Sequence, residues 1–157
     1  MLRNIVLDHS KNLGSLEAIE LFDTSFRHNG EIISAEKALE LKLRGATIEY
    51  PKKQIRYNYV VEPYKEMYTC RIGREINENR DKNINVCVVG DYNQQFPKRE
   101  MLDILAILIR GLLNQYKSIQ KTRVLPLRYF KKGSDGPGLL FNTKRFVKEY
   151  IINGNAP

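Results

Sequence analysis

Residues 84–116, INVCVVGDYNQQFPKREMLDILAILIRGLLNQY, constrain the fold more than any other stretch. The first part is apolar and β-branched at Val86, Val88 and Val89, and it stops at Gly90, as a buried strand does. After a polar turn, Pro97 opens a long segment in which Met101, Leu105, Leu108, Leu112 and Tyr116 recur at helical spacing. Leu102, Ile109 and Leu113 widen that face, so the helix is expected to be covered on most of its circumference. A buried strand feeding a core helix requires a layered core, and functional side chains are then expected on the loops that this unit holds in place.

The remaining segments supply partners for it. Residues 4–8 (NIVLD) read as a short strand ending at Asp8-His9-Ser10. Residues 15–26 contain one or two helical turns, and Asn29-Gly30 marks a turn. Ser34 is an N-cap for a helix with Ala35, Ala38, Leu39 and Leu43 on its apolar face, ended by Gly45. Residues 50–54 connect to a strand at 56–61 (RYNYVV) that Pro63 terminates, with a hairpin partner at 66–72 and a charged loop at 73–82. A strand at 123–127, interrupted by Pro126, belongs at a sheet edge, and a basic glycine-rich loop leads to a helix at about 142–151. The expectation is α/β: one central mixed β-sheet flanked by helices, in a single domain spanning 1–157.

Two cysteines, Cys70 and Cys87, lie in strand-like stretches without metal-knuckle spacing and are expected to be reduced and buried. No run approaches the length of a membrane span, and MLRNIVLDHS lacks the apolar run of a signal peptide, so synthesis in the cytoplasm without signal-directed export is expected. The net charge of +8 favours an anionic partner: nucleic acid, a membrane surface or an acidic cell-wall polymer. Basic clusters at Lys52-Lys53-Arg56, Lys131-Lys132 and Lys144-Arg145-Lys148 lie near aromatic residues, but no nucleic-acid motif accompanies them, and a nucleic-acid role is not favoured. The loop KKGSDGPG lacks the spacing of a phosphate cradle and reads as a tight connection.

Taken in order, these pieces resemble the zinc-dependent N-acetylmuramoyl-L-alanine amidases, the fold shared with amidase-type phage lysozymes and peptidoglycan recognition proteins. The resemblance is carried by IVLDHS, LKLRG followed by RYNYVV, MYTCRIGR, the long NINVCVVGDYNQQFPKREMLDILAILIRGLLNQY and LRYFKKGSDGPG. It implies a site of two histidines and a cysteine holding zinc, which lowers the pKa of a bound water so that hydroxide attacks an amide.

At the implied ligand positions this chain has Asp8 (with His9 beside it), Leu127 or Arg128, and Gly136. Leucine and glycine offer no donor, and arginine stays cationic. Tyr57 matches the active-site tyrosine that the resemblance implies, Asn58 replaces the histidine after it, and Ser134 falls at the position of the acid/base or oxyanion group. These eight are vestigial positions, with no catalytic residue and no cofactor expected. A ligand cleft is expected at His9, Tyr57, Asn58 and Arg128. A rearranged metal site could draw only on Asp8, His9 and Asp135, and adjacent strand residues point to opposite faces. His28 reads as a loop histidine.

The leading expectation is a degenerate amidase-fold protein, a pseudoenzyme in a recognition or structural role. Its partners would be a peptidoglycan fragment or proteins of a larger assembly such as a phage particle or envelope machine. The alternative is an active amidase with an altered zinc site, and the second alternative is a basic nucleic-acid-binding protein.

Overall fold

The computed structural model describes residues 1–154, so the expected domain end at 157 lies outside the described residues. Five strands form a mixed sheet in the order β5-β4-β6-β1-β7. They are β1 (Asn4–His9), β4 (Tyr59–Tyr64), β5 (Met67–Ile72), β6 (Asn83–Val88) and β7 (Val124–Pro126). β4, β6, β1 and β7 run parallel, and β5 returns antiparallel to β4. A separate small hairpin joins β2 (Phe26–His28) to β3 (Glu31–Ile33) through Asn29 and Gly30, both at positive φ. The helices are α1 (Leu16–Asp23), α2 (Ala35–Leu43), α3 (Arg99–Gln115), α4 (Leu127–Phe130) and α5 (Thr143–Phe146), the last running on into a π-helical turn over Val147–Ile152. This is the expected architecture of one central sheet with helices against it.

Strand alternation divides the core into two layers. Ile5 and Leu7 of β1, Ile84, Val86 and Val88 of β6, and Val61 of β4 pack with the buried face of α3, formed by Met101, Leu105, Ile109 and Leu112. Phe141, Phe146, Val147 and Ile151 close the same layer. On the other face Val60, Cys87 and Val89 pack with Leu16 and Ile19 of α1 and with Ile55 and Tyr57. Removing each large side chain from water stabilises the fold by about 1.5–3 kcal/mol. Asp8 pairs with Cys87, and Cys87 with Val60, so alternation puts Asp8 on the α1 side at the strand ends and His9 on the α3 side.

Caps fix the helix entries. Ser15 accepts from the Ala18 amide at 3.1 Å and Glu62 from the Leu16 amide at 2.7 Å, so α1 starts against β4. Ser34 accepts from the Lys37 amide at 3.1 Å, as its place in the sequence predicts.

Several expectations are corrected. The strand expected at 56–61 begins at Tyr59 and runs through Pro63 to Tyr64. Proline is tolerated there because β4 pairs with β6 only over Tyr59–Val61, leaving that side free at Pro63. The long helix begins at Arg99, two residues after Pro97. The apolar face of α2 buries only Ala38, leaving Leu39 and Leu43 60% and 80% exposed. Cys70 is exposed, whereas Cys87 is buried. Among the described residues, no helix is long and apolar enough to cross a membrane.

Candidate functional site

Asp8, Leu127 and Gly136 meet where the C-terminal end of β1 faces the loop after α4. A Cβ built on Gly136 would lie 2.1 Å from Asp8 Oδ1 and 3.2 Å from the Leu127 Cβ. Of Leu127 and Arg128, it is Leu127 whose side chain lies at this meeting point. The Asp8 carboxylate thus fills the space that any side chain at position 136 would enter.

That carboxylate is already engaged. Its Oδ2 accepts a short hydrogen bond from the Tyr57 hydroxyl, and its Oδ1 accepts from the His9 amide at 2.8 Å. Burial, reinforced by the neighbouring Cys87 and Asp8, pushes the Tyr57 hydroxyl far above its ordinary pKa, so it stays a donor. Burial likewise pushes the Cys87 thiol well up, with Asp8 adding to the shift, leaving it protonated beneath the pair. Tyr57 is held from both sides. The Arg56 guanidinium lies 5.0 Å from its ring centroid, and the chain passes closely at Gly73, where a Cβ would come within 2.2 Å of the Tyr57 carbonyl. Arg56 in turn pairs with the fully buried Asp23 at 3.1 Å.

His9 belongs to a second cluster on the opposite face of β1. Its Nδ1 accepts from the Tyr92 amide at 3.1 Å, which places the proton on Nε2, and Nε2–H donates to Asp135 Oδ1 at 3.1 Å. Asn93 donates to Asp135 Oδ2 at 2.7 Å, and Lys11 reaches the same oxygen at 3.3 Å. Partial burial pushes the Asp135 carboxyl up, but the hydrogen bonds from His9, Asn93 and Lys11 outweigh it and hold the pKa at about 2. The cluster ties the loop after α4 to β1 and to the β6–α3 turn.

The remaining predicted residues are structural ties. Asn58, fully buried, accepts from the Asn85 amide at 2.8 Å and donates to the Arg74 carbonyl at 3.2 Å, stitching the entry of β4 to β6. Arg128 donates to the carbonyls of Gly138 at 3.0 Å and Phe141 at 3.3 Å. Ser134 Oγ accepts from the Gly136 amide at 3.2 Å. His28, expected in a loop, instead ends strand β2 of the outlying hairpin, paired with Glu31, and its Nδ1 lies 3.1 Å from the Thr47 carbonyl. Of the four residues expected to line a ligand cleft, His9, Tyr57 and Asn58 are buried, and Arg128 is half-buried.

These residues do not fit zinc. The ion takes three protein donors in a site of this type, and the meeting point offers one carboxylate, an isobutyl group and no third side chain. Both carboxylate oxygens already accept hydrogen bonds. His9 cannot complete the set, because both its ring nitrogens are engaged on the other face of β1. Among the described residues, no group of three histidine, cysteine or acidic side chains could hold a metal ion.

The sequence does not single out Lys11, Asn93 or Asp23; it shows Arg56 only as part of a basic cluster and Gly73 only as the glycine of the hairpin stretch MYTCRIGR. Their contacts become visible only when distant segments meet.

No protein-family model and no curated protein matches the sequence. Solved structures do. N-acetylmuramoyl-L-alanine amidase LysC from Clostridium intestinale URNW aligns over 97% of this chain and 85% of its own, with 14% identity and a TM-score of 0.52. Drosophila peptidoglycan recognition protein SD aligns over 87% and 75%, with 14% identity and a TM-score of 0.56. The ectodomain complex of peptidoglycan recognition proteins LCa and LCx, solved with tracheal cytotoxin bound, aligns over 94% and 81%, with 13% identity and a TM-score of 0.54. The fold is therefore that of the N-acetylmuramoyl-L-alanine amidases and peptidoglycan recognition proteins, as the sequence resemblance implies.

Proposed function

We infer that this protein recognises a peptidoglycan fragment without hydrolysing it and without zinc. The observation that carries the reading is the meeting of Asp8, Leu127 and Gly136 at one point of an amidase-type fold, with the Asp8 carboxylate bound to Tyr57 in the space a third ligand would need. Tyr57, the one residue retained from the pattern that the resemblance implies, uses its hydroxyl on Asp8, which leaves it no proton for a substrate carbonyl. A recognition role is further supported by one structural neighbour, an ectodomain complex of peptidoglycan recognition proteins with tracheal cytotoxin bound.

Charge beside the site suits an anionic ligand. Burial lowers the Lys52 pKa, and Arg56, Arg27 and Lys131 lower it further, partly offset by Asp23, which marks these cations as one electrostatic cluster. Carboxylates of a peptide stem would be attracted to it.

Co-sedimentation with purified sacculi tests the reading. Retention of the protein in the pellet is expected, insensitive to chelator, with no peptide released and with retention reduced by Lys52→Glu combined with Lys131→Glu. Zinc-stimulated release of peptide would contradict the absence of hydrolysis, and no retention at low salt would contradict recognition.

A further inference from the structure

A groove of about 550 Å³ runs between β7 and the helix that starts at Thr143, well separated in sequence from Asp8 and Tyr57. Its apolar lining comes from Val124, Leu125 and Pro126 on the strand side and from Val147 and Ile152 on the helix side. β7 is the last strand of the sheet, so its outer backbone edge pairs with no strand among the described residues. Thr143 lines the groove at 3% exposure, and its Oγ1 has no hydrogen-bond partner among the described residues. Leaving such a hydroxyl unpaired is unfavourable, and an incoming donor or acceptor would relieve that cost.

Charge selects the occupant. The lining holds Arg128, Lys144 and Lys148 and no acidic residue. Arg128 is committed to backbone carbonyls, whereas Lys144 and Lys148 are exposed and have no ion-pair partner among the described residues. They stand four apart on a helix, so their side chains rise on one face about 5–6 Å apart. Alternate residues of an extended chain are spaced at about 6.8 Å, close enough to offer one carboxylate to each lysine. An alkyl chain would fill the apolar volume yet leave the strand edge and Thr143 unpaired, whereas a peptide backbone carries the donors and acceptors that both lack.

The geometry points to a docking groove for an extended acidic peptide segment of a partner protein. Its main chain lies along β7, an apolar side chain fills the groove, and two acidic side chains meet Lys144 and Lys148. This mode of binding is independent of the peptidoglycan reading, since it uses none of the residues around Asp8.

The test uses the whole chain and a fluorescently labelled peptide in which glutamates alternate with leucine and valine. A peptide with lysines in place of glutamates and the single-chain amphiphile dodecanoate serve as comparison probes. Backbone amide shifts are expected at β7 and at residues 143–152 with the acidic peptide. Lys144→Glu combined with Lys148→Glu should weaken binding about tenfold or more. Because these side chains are exposed, the variant should fold normally. Thr143→Val should weaken binding about fivefold while leaving the thermal midpoint unchanged or raised, an outcome that a purely structural hydroxyl would not give. Equal binding of the lysine peptide, affinity untouched by both variants, or shifts produced by dodecanoate and not by the peptide would each overturn the proposal.

Discussion

A side chain at position 136 must displace Asp8, because its Cβ would lie 2.1 Å from Oδ1. Gly136→Cys is therefore expected to lower stability by about 1–3 kcal/mol, the usual cost of overpacking. Adding Asp8→Ala should recover most of that loss in a urea-unfolding double-mutant cycle, and a fully stable single variant would show that the carboxylate does not occupy this space. Tyr57→Phe leaves one buried carboxylate oxygen unpaired and should cost about 1–3 kcal/mol. Tyr64→Phe, on an exposed ring, should stay within about 0.5 kcal/mol. Asp135 sets a pH window. Its carboxyl is held at about 2 in the folded protein against an ordinary value of 3.8, so its contribution is present above pH 4 and is lost as pH falls from about 4 to about 2. Denaturation midpoints measured across that range should fall less steeply in Asp135→Asn than in the wild type.

The two longest helices, α3 and α2, should respond oppositely to truncation of an apolar side chain. Leu105 of α3 is fully buried, and Leu105→Ala should cost about 2–5 kcal/mol in chemical denaturation. Leu43→Ala on α2 should change stability by no more than about 0.5 kcal/mol, since that side chain is 80% exposed. The contrast shows what periodicity can and cannot reveal. The β6–α3 unit was legible because its apolar residues recur on a face wide enough to require burial on a sheet. The face of α2 has the same spacing, yet periodicity identifies a face without saying what covers it. Strand alternation at 8 and 9 foretold that Asp8 and His9 diverge, and the structure sends one to Tyr57 and the other to Asp135. The Tyr57–Asp8 contact spans 49 positions and depends on how β4 enters the sheet, so no local pattern announces it. The choice of Leu127 over Arg128 was equally hidden, because a short helix between β7 and the glycine-rich loop sets which side chain turns inward.

For the whole molecule, the scaffold is that of amidases and recognition proteins, while at its strand ends the Asp8 carboxylate is hydrogen-bonded to Tyr57; a shared fold does not by itself fix the chemistry. A net charge of +8 gives the protein long-range attraction for anions, so any association with cell-wall polymer should weaken as salt is raised. At the point where Asp8, Leu127 and Gly136 meet, the Asp8 carboxylate is closed off by its hydrogen bonds to the Tyr57 hydroxyl and the His9 amide, and the proposal is that no metal binds there. Metal analysis of protein purified without chelator, incubated with zinc and then desalted, tests it most directly. Zinc far below one equivalent per chain is expected, the same in wild type and in Asp8→Ala. One zinc per chain in the wild type, lost in Asp8→Ala, would contradict it.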